Sequence, residues 1–143
     1  MENREIITVF LVCRKREQGK ILLFRRSNAV GSYQGHWAGV SGYLESPTPL
    51  EHAYVELAEE TGLAQDDLEL IHQGQPLVVE DKALGVRWVA YPFCFSIESD
   101  EKIRLDYEHT ECRWFTPEEV LCLDVNKQTV PRLYETLCQV LPQ

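Results

Sequence analysis

One well-marked helix lies inside a run of strand-like segments, and this arrangement restricts the fold more than any other feature of the sequence. Residues Leu50–Thr61 form the strongest helix candidate. Thr48 is suited to cap the first turn, Pro49 fits the first helical position, and Gly62 is suited to end the helix. The helix is amphipathic, so we expect its apolar side to pack on a sheet.

The segments around this helix have the short, apolar and β-branched composition of strands. The first two predicted strands form a hairpin across the charged turn Arg14–Gly19, and Ser27–Gly35 is predicted as a polar loop. The predicted strands are Ile6–Val12, Lys20–Arg25, Trp37–Val40, Leu68–His72, Leu77–Glu80, Val86–Ile97 and Glu111–Phe115.

Two further helices are predicted near the C-terminus. The first is short, Pro117–Leu121, and opens at Thr116; the second runs from about Val130 to Leu141 and tolerates Pro131 in its first turn. Apolar side chains at helical spacing favour docking of this last helix on the core over a partner-binding face. They are Val130, Leu133, Tyr134, Leu137 and Leu141. Without the short helix, the order β-β-β-α-β-β-β-β-α predicts an α/β (α+β) fold with a mixed sheet packed between helices.

Composition narrows the class of protein. The 143 residues are 44% hydrophobic and 26% charged, which fits one globular domain over residues 1–143. Because 14 Lys and Arg face 23 Asp and Glu, the net charge is −9, and we expect no binding to nucleic-acid duplexes. No apolar run is long enough to span a membrane, and the first residues lack the profile of a secretion signal. Five cysteines without Cys-x-x-Cys spacing predict a reduced, cytoplasmic domain.

Three carboxylates share one face of the predicted Leu50–Thr61 helix. Glu56, Glu59 and Glu60 stand at positions i, i+3 and i+4. Like charges at this spacing repel one another, so the cluster needs compensation. A hard divalent cation supplies it, because Mg²⁺ prefers oxygen ligands and keeps waters and phosphates in its shell. A solvated acidic face is the alternative interpretation.

The segment Glu-Leu-Ala-Glu-Glu-Thr-Gly-Leu, residues 56–63, resembles the second half of the Nudix box. The pattern of that box is Gly-x5-Glu-x7-Arg-Glu-apolar-x-Glu-Glu-x-Gly-apolar. The similarity continues in order along nearly the whole chain. Lys20–Arg26 looks like the end of the family's opening hairpin, and Gly35–Trp37 looks like its approach to the box. Glu111–Glu119 looks like its late strand and short helix. The resemblance implies a Nudix hydrolase with an α/β/α sandwich fold.

The first half of the box departs from the family pattern. Counted back from Gly62, the arginine position holds Val55, the first glutamate position Pro47 and the first glycine position Ser41. Anchoring on Gly42 instead leaves the loop one residue short, and the glutamate position stays empty.

In the family, the early glutamate and the arginine help to brace the loop against the helix. Losing both is less damaging than losing one, because removal of one partner leaves the other charge unpaired. The paired absence predicts a rebuilt loop, supported by Glu45 or Thr48.

The resemblance also implies the chemistry. Nudix enzymes hydrolyse a nucleoside diphosphate linked to another moiety, X, by attack of water on phosphorus with Mg²⁺ or Mn²⁺. Glu56, Glu59 and Glu60 are the implied metal ligands, joined by a backbone carbonyl of Ser41 or Gly42.

A carboxylate must also serve as the general base. Glu59 and Glu60 are the candidates on the helix, and Glu108 and Glu111 are the later ones. Either of the later pair could instead be an outer metal ligand or a charged residue that flanks an edge strand.

Basic and aromatic residues before the box are the candidates for substrate binding. Arg25 and Arg26 alternate faces, so only one can point into the cleft; Arg26 occupies the place where the family commonly has a basic residue. Tyr33, His36 and Trp37 could border the X group, although a core position is favoured for Trp37.

Two other side chains have a structural interpretation. His52 precedes Glu56 by one turn and could hydrogen-bond to it, but we expect it to face solvent. Trp88 lies on a predicted strand and is assigned to packing.

The missing brace positions leave a second function open. Pro47 and Val55 are compatible with a catalytically weak or silent Nudix domain that acts as a nucleotide-binding or regulatory module. Isomerisation of a diphosphate is a third function, which no residue selects. We expect the loops Ser27–His36 and Gln73–Leu84 to set specificity, and Val86–Ile97 fits either a homodimer interface or a buried central strand.

Overall fold

The computed structural model describes residues 1–15 and 18–141 and contains eight strands and three α-helices. The strands are β1 Glu2–Cys13, β2 Ile21–Arg26, β3 Trp37–Ala38, β4 Val40–Tyr43, β5 Glu69–Gln73, β6 Leu77–Asp81, β7 Val86–Ile97 and β8 His109–Phe115. The helices are α1 Pro49–Thr61, α2 Pro117–Val125 and α3 Leu133–Cys138, and a 3-10 turn covers Gln65–Asp67.

Strands β1 and β7 form the centre of a single mixed sheet. They pair in parallel along their whole length, from Glu2 opposite Val86 to Cys13 opposite Ile97. The second side of β7 pairs with β5 and β6, while β2 and β4 pair with opposite ends of β1, and β3 and β8 pair with β2. Because β7 is paired on both sides, it is a central strand, as one of the two predictions for this segment has it.

Both faces of the sheet are covered, as the predicted α/β/α sandwich requires. Side chains alternate across a strand, so Ile7, Val9 and Leu11 of β1 pack against α1, whose Leu57 is fully buried. Phe10 points to the opposite face. There it joins Val120 of α2 and Leu133 and Leu137 of α3.

Helix α1 is built as its local signals predict. The Thr48 hydroxyl accepts a hydrogen bond from the Glu51 amide at 3.2 Å, and Pro49 opens the helix. Gly62 ends it with φ 75°, a left-handed conformation that favours glycine.

The region before α1 contains one strand more than predicted. The predicted strand Trp37–Val40 is divided into β3 and β4 at Gly39, where an added β-carbon would lie 2.5 Å from the carbonyl oxygen of Val9. The predicted turn Arg14–Gly19 includes residues 16 and 17, which lie outside the described residues.

The last helix is shorter than the predicted Val130–Leu141. Thr129 pairs with Trp37 in an isolated bridge, the Val130 amide donates to the Trp37 carbonyl at 3.0 Å, and the chain then turns at Arg132, which has φ 58°. Helix α3 therefore begins at Leu133, although the predicted docking on the core is confirmed. Helix α2 extends past the predicted Leu121 to Val125. None of the described helices is long and apolar enough to cross a membrane.

Candidate active site

Two hollows adjoin beside β4. The first, which we call the acidic pocket, is lined by Ser41, Gly42, Tyr43, Glu45, Glu56, Glu59, Asp106, Tyr107 and Glu108. The second, which we call the cavity, has a volume of about 450 Å³. Their linings share residues of β4 and of the loop before β8.

Glu56 is held against β4. Its carboxylate lies so close to Gly42 that an added β-carbon there would be 2.8 Å from Oε2 and closer still to Oε1. On the other side, Nε2 of His52 lies 3.0 Å from Oε1 of Glu56. The carboxylate is thus fixed between a strand and its own helix.

His52 does not face solvent, so that expectation was wrong. Its side chain is 3% exposed, and its Nδ1 lies 2.8 Å from Oγ of Ser46. The physical reason is the loop between β4 and α1, which brings Ser46 to the helix face that carries His52.

Glu60 is a buried carboxyl with an unsatisfied oxygen. It is 2% exposed, Oε2 has no hydrogen-bond partner, and Oε1 lies 3.4 Å from Nε2 of His109. Burial raises the pKa of Glu60 far above its usual range, and a hydrogen bond with Glu56 and the charges of Glu56, Glu108 and Asp106 raise it further. Such a group requires a proton or a cation, because an isolated buried charge is costly.

Glu59 and Glu108 both line the acidic pocket, from two different parts of the chain. Glu59 is exposed on α1, whereas Glu108 lies on the loop before β8. The Glu108 amide donates to Oδ1 of Asp106 at 3.1 Å, and its carbonyl accepts from the Ser27 amide at 2.8 Å. Burial raises the pKa of Glu108, and the charges of Asp106 and Glu56 add to the effect.

Sequence reasoning missed Asp106 and His109. His109 is buried, with Nδ1 3.2 Å from Oδ1 of Asp106, and burial lowers its pKa. Both residues flank Glu108 in the sequence, and this concentration of titratable groups was the available signal.

The donor set suits a hard divalent cation. Within residues 1–15 and 18–141, no three His, Cys, Asp or Glu side chains already enclose a point where a metal ion could lie. The acidic pocket nevertheless has five carboxylates and no lysine or arginine among its described lining residues, with the unpartnered oxygen of Glu60 behind them. Mg²⁺ takes few protein ligands and keeps several waters, so a complete protein cage is not needed.

Arg26 lies on the cavity side of the site, near the carboxylates of Glu108 and Glu60. It lines the cavity, and its Nε donates to the Ser32 carbonyl at 3.0 Å. Burial lowers the pKa of Arg26, and the nearby charges of Glu108 and Glu60 oppose that shift. Of the two consecutive arginines, Arg26 is therefore the one that the structure brings to the site.

The cavity is mostly apolar, and Tyr33 holds part of its wall. Tyr33 has φ 52°, its hydroxyl hydrogen-bonds to the Asp81 carboxylate, and it accepts from Nε1 of Trp88 at 3.3 Å. Burial, followed by the bond to Asp81, raises the pKa of Tyr33 to about 12. Trp88, assigned to packing, also forms a wall of the cavity, together with Ile6, Val79, Val86 and Ala90.

His36 borders Tyr33 but lies outside the lining of the cavity. Its ring meets that of Tyr33 edge-on, with centroids 6.3 Å apart, and its Nδ1 lies 3.1 Å from the Gln34 carbonyl oxygen. His36 therefore contacts Tyr33 but does not itself line the cavity.

Glu111 and Trp37 are not brought to the site. The Glu111 carboxylate pairs with Arg25 at 3.4 Å and with Arg113 at 2.7 Å. Trp37 is buried, and its ring meets that of Phe115 edge-on. The guanidinium groups of Arg25 and Arg113 lie over the Trp37 ring.

Strand alternation explains this placement. Cys112 and Trp114 of β8 pack on the α1 side of the sheet, which turns Glu111 to the other face. A register shift between Arg25 and Arg26 places His109 opposite Arg26, so that His109 takes the position next to Glu60.

Comparisons with known proteins agree with this fold. The sequence model of the NUDIX domain family matches residues 4–139. A MutT NUDIX hydrolase from Burkholderia pseudomallei is similar in structure, with TM-score 0.69 and 24% identity over 99% of this chain and 100% of that chain. An Ap4A hydrolase from C. elegans has TM-score 0.68 and 16% identity over 96% of both chains.

A third similar structure contains a metal. It is a bifunctional NMN adenylyltransferase/ADP ribose pyrophosphatase from Francisella tularensis, complexed with AMP and a Mn ion. Its TM-score is 0.73 at 16% identity, over 95% of this chain and 40% of that chain. The comparison with curated proteins gave no match.

Proposed function

The chain belongs to the NUDIX domain family, and from that premise we propose that it is a divalent-metal-dependent pyrophosphohydrolase. Its substrate is a small molecule in which a nucleoside diphosphate is linked to a moiety X. One observation carries the proposal: Glu60 is a buried carboxyl with an unpartnered oxygen, next to a pocket lined by five carboxylates. That arrangement is unfavourable without a cation and suited to one.

Glu56, Glu59 and Glu60 would hold Mg²⁺ or Mn²⁺, together with a backbone carbonyl at Gly42 or Ser41. When bound, the cation neutralises diphosphate charge, polarises the reacting phosphorus–oxygen bond and lowers the pKa of coordinated water. The Mn ion in the structure of the similar Francisella tularensis enzyme supports the choice of a divalent cation.

The base is assigned to a carboxylate that water can reach. Glu59 is exposed and lines the acidic pocket, so it is the first choice on the helix. Glu60 is buried, which suits a ligand better than a base. Glu108 is the alternative on the facing loop, whereas Glu111 is engaged by two arginines and receives no role.

The substrate would span both hollows. Arg26 lines the cavity near Glu108 and Glu60, where its guanidinium could bind phosphate oxygens. The organic part would occupy the cavity, against Trp88 and the side chain of Tyr33. This assignment makes the loop that contains Tyr33 and the β6–β7 hairpin the determinants of specificity.

The test is a hydrolysis screen in ¹⁸O-labelled water. Dinucleoside polyphosphates, ADP-ribose, nucleotide sugars, NADH and nucleoside triphosphates would be offered with Mg²⁺ or Mn²⁺, and products identified by mass. We expect turnover of one class, one ¹⁸O atom in a phosphate-containing product, and loss of all turnover on chelation. Turnover that survives chelation would contradict the proposal.

One observation favours a second function, that of a nucleotide-binding module without turnover. Val55 is 41% exposed and Pro47 is exposed, so the family's charged brace is absent from both of its positions. This function predicts that a nucleotide raises the melting temperature of both the wild type and Glu60→Gln, while neither protein hydrolyses it.

A further inference from the structure

The loop before α1 reaches the helix carboxylates without the charges that the Nudix box provides. Val55 stands at the arginine position and points to solvent, and Pro47 stands at the early glutamate position. Neither of the substitutes suggested by the sequence reaches Glu56 through a hydrogen bond: Thr48 caps α1, and Glu45 is an exposed lining residue of the acidic pocket.

A different connection joins loop and helix. Oγ of Ser46 lies 2.8 Å from Nδ1 of His52, and Nε2 of His52 lies 3.0 Å from Oε1 of Glu56. Ser46 belongs to the loop, while His52 and Glu56 lie one turn apart on α1. The imidazole is therefore a hydrogen-bonded bridge between the loop and the carboxylate.

One tautomer satisfies the whole bridge. An ionised carboxylate can only accept hydrogen bonds, so Nε2 of His52 carries the proton and donates to Glu56. Nδ1 then accepts from the Ser46 hydroxyl, which can donate. Both ring nitrogens of a fully buried side chain are thereby paired, as buried polar groups require.

The bridge leaves Glu56 little freedom. Gly42 lies on the opposite side of the carboxylate. A β-carbon built on Gly42 would be within 2.8 Å of both carboxylate oxygens of Glu56. A carboxylate confined by a strand on one side and an imidazole donor on the other is fixed before any ligand arrives. Hydrogen bonds of this kind to a metal-binding carboxylate orient it and tune its affinity.

We propose that His52, oriented by Ser46, is the positioning residue for Glu56 and replaces the charged brace that is missing at Pro47 and Val55. The inference rests on the proposed function, because Glu56 is assigned there as a metal ligand. It gives the rebuilt loop a defined role, which is to support the carboxylate through hydrogen bonds without an arginine side chain.

The test is the affinity of the substrate-free protein for Mn²⁺, followed by the electron paramagnetic resonance signal of the free ion. We expect His52→Leu to weaken Mn²⁺ binding about 10–100-fold. His52→Gln should keep most of the affinity, because its amide can place a donor near the position of Nε2. His72→Leu, at an exposed histidine on β5, is the matched control and should bind Mn²⁺ as the wild type does.

Melting temperatures of the metal-free variants show whether weaker Mn²⁺ binding comes from a misplaced Glu56 or from loss of the fold. If His52→Leu does not fold, Ser46→Ala replaces it, since Ser46 is only half-buried and its loss should weaken Mn²⁺ binding by a smaller factor in the same direction. Wild-type affinity in a folded His52→Leu or Ser46→Ala protein would overturn the inference, and so would equal losses in His52→Leu and His52→Gln. A wild type that binds no Mn²⁺ would instead remove the proposed function itself.

Discussion

The carboxylate of Glu56 lies against the α-carbon of Gly42, at a distance that leaves no room for a β-carbon between them. Gly42 is on β4 and Glu56 is on α1, so the contact sets the position of the helix carboxylates relative to the sheet. It also places the backbone of β4, a candidate source of a metal-binding carbonyl, beside the acidic pocket.

Gly42→Ala should therefore impair metal binding without unfolding the protein. The new β-carbon would meet the carboxylate of Glu56, so that carboxylate would have to move and lose its hydrogen bond with His52 while the backbone stays in place. We expect Mn²⁺ affinity to fall about 10–100-fold, and the melting temperature to fall only modestly, because the unpaired His52 nitrogen costs about 1–3 kcal/mol. Gly31→Ala is the control, since nothing lies within 4 Å of an added β-carbon there. Unchanged Mn²⁺ affinity in Gly42→Ala would refute the contact's role.

The raised pKa of Glu60 should make the stability of the metal-free protein depend on pH. Its pKa is raised on folding, so the folded chain keeps a proton that the unfolded chain releases above the ordinary carboxyl pKa. Stability should therefore fall as pH rises, by no more than about 1.4 kcal/mol per pH unit for one group.

The measurement is chemical denaturation between pH 7 and pH 9 of the wild type and Glu60→Gln, a variant that lacks this titration. We expect the wild type to lose more stability than Glu60→Gln across this range, and saturating Mn²⁺ to reduce the difference. The comparison cancels groups present in both proteins, such as Cys94, whose pKa burial raises to about 11. Parallel curves for the two proteins would show that Glu60 does not hold its proton in this way.

The two consecutive arginines should differ in their effect on substrate binding. Arg26→Met removes a guanidinium near the proposed phosphate position, and a hydrogen bond to a charged group contributes about 1.5–3 kcal/mol. We expect KM to rise about 10–100-fold while Mn²⁺ affinity is kept. Arg25→Met is the matched control, because Arg25 pairs with Glu111 away from both hollows. Equal KM changes in the two variants would rule out a selective role for Arg26.

Filling the cavity should block the organic part of the substrate but spare the metal site. Ala90 lines the cavity on β7, and Ala90→Leu would project new atoms into it. We expect KM to increase about tenfold, which corresponds to a loss of about 1.4 kcal/mol in binding free energy, while Mn²⁺ binding stays unchanged. Ala64→Leu, at an exposed position after α1 that lines neither the cavity nor the acidic pocket, is the control. A normal KM for Ala90→Leu would place the organic moiety elsewhere.

Features governed by neighbouring residues were predictable from the sequence. Helix α1 begins and ends as expected because Thr48, Pro49 and Gly62 act within one turn of the helix. The clustering of Glu56 with Glu60 likewise follows from helical geometry alone.

Features set by distant contacts were not predictable. Thr129 and Val130 are bound to Trp37, and the chain turns at Arg132 before α3 begins, which shortens that helix. A register shift in the pairing of β2 with β8 brings His109, rather than Glu111, to Glu60. His52 was misjudged because the side chain that shields it, Ser46, comes from a loop whose path the sequence does not specify.

The most direct test of the proposed hydrolase is turnover of a diphosphate substrate panel by the wild type and by Glu60→Gln, each with Mg²⁺ or Mn²⁺ and each with a chelator. We predict that the wild type converts one class of substrate only when the cation is present, and that Glu60→Gln is slower by orders of magnitude. The opposite result is a nucleotide that raises the melting temperature of both proteins while neither turns over any member of the panel. That outcome would contradict the proposed hydrolase activity and favour a nucleotide-binding domain without turnover.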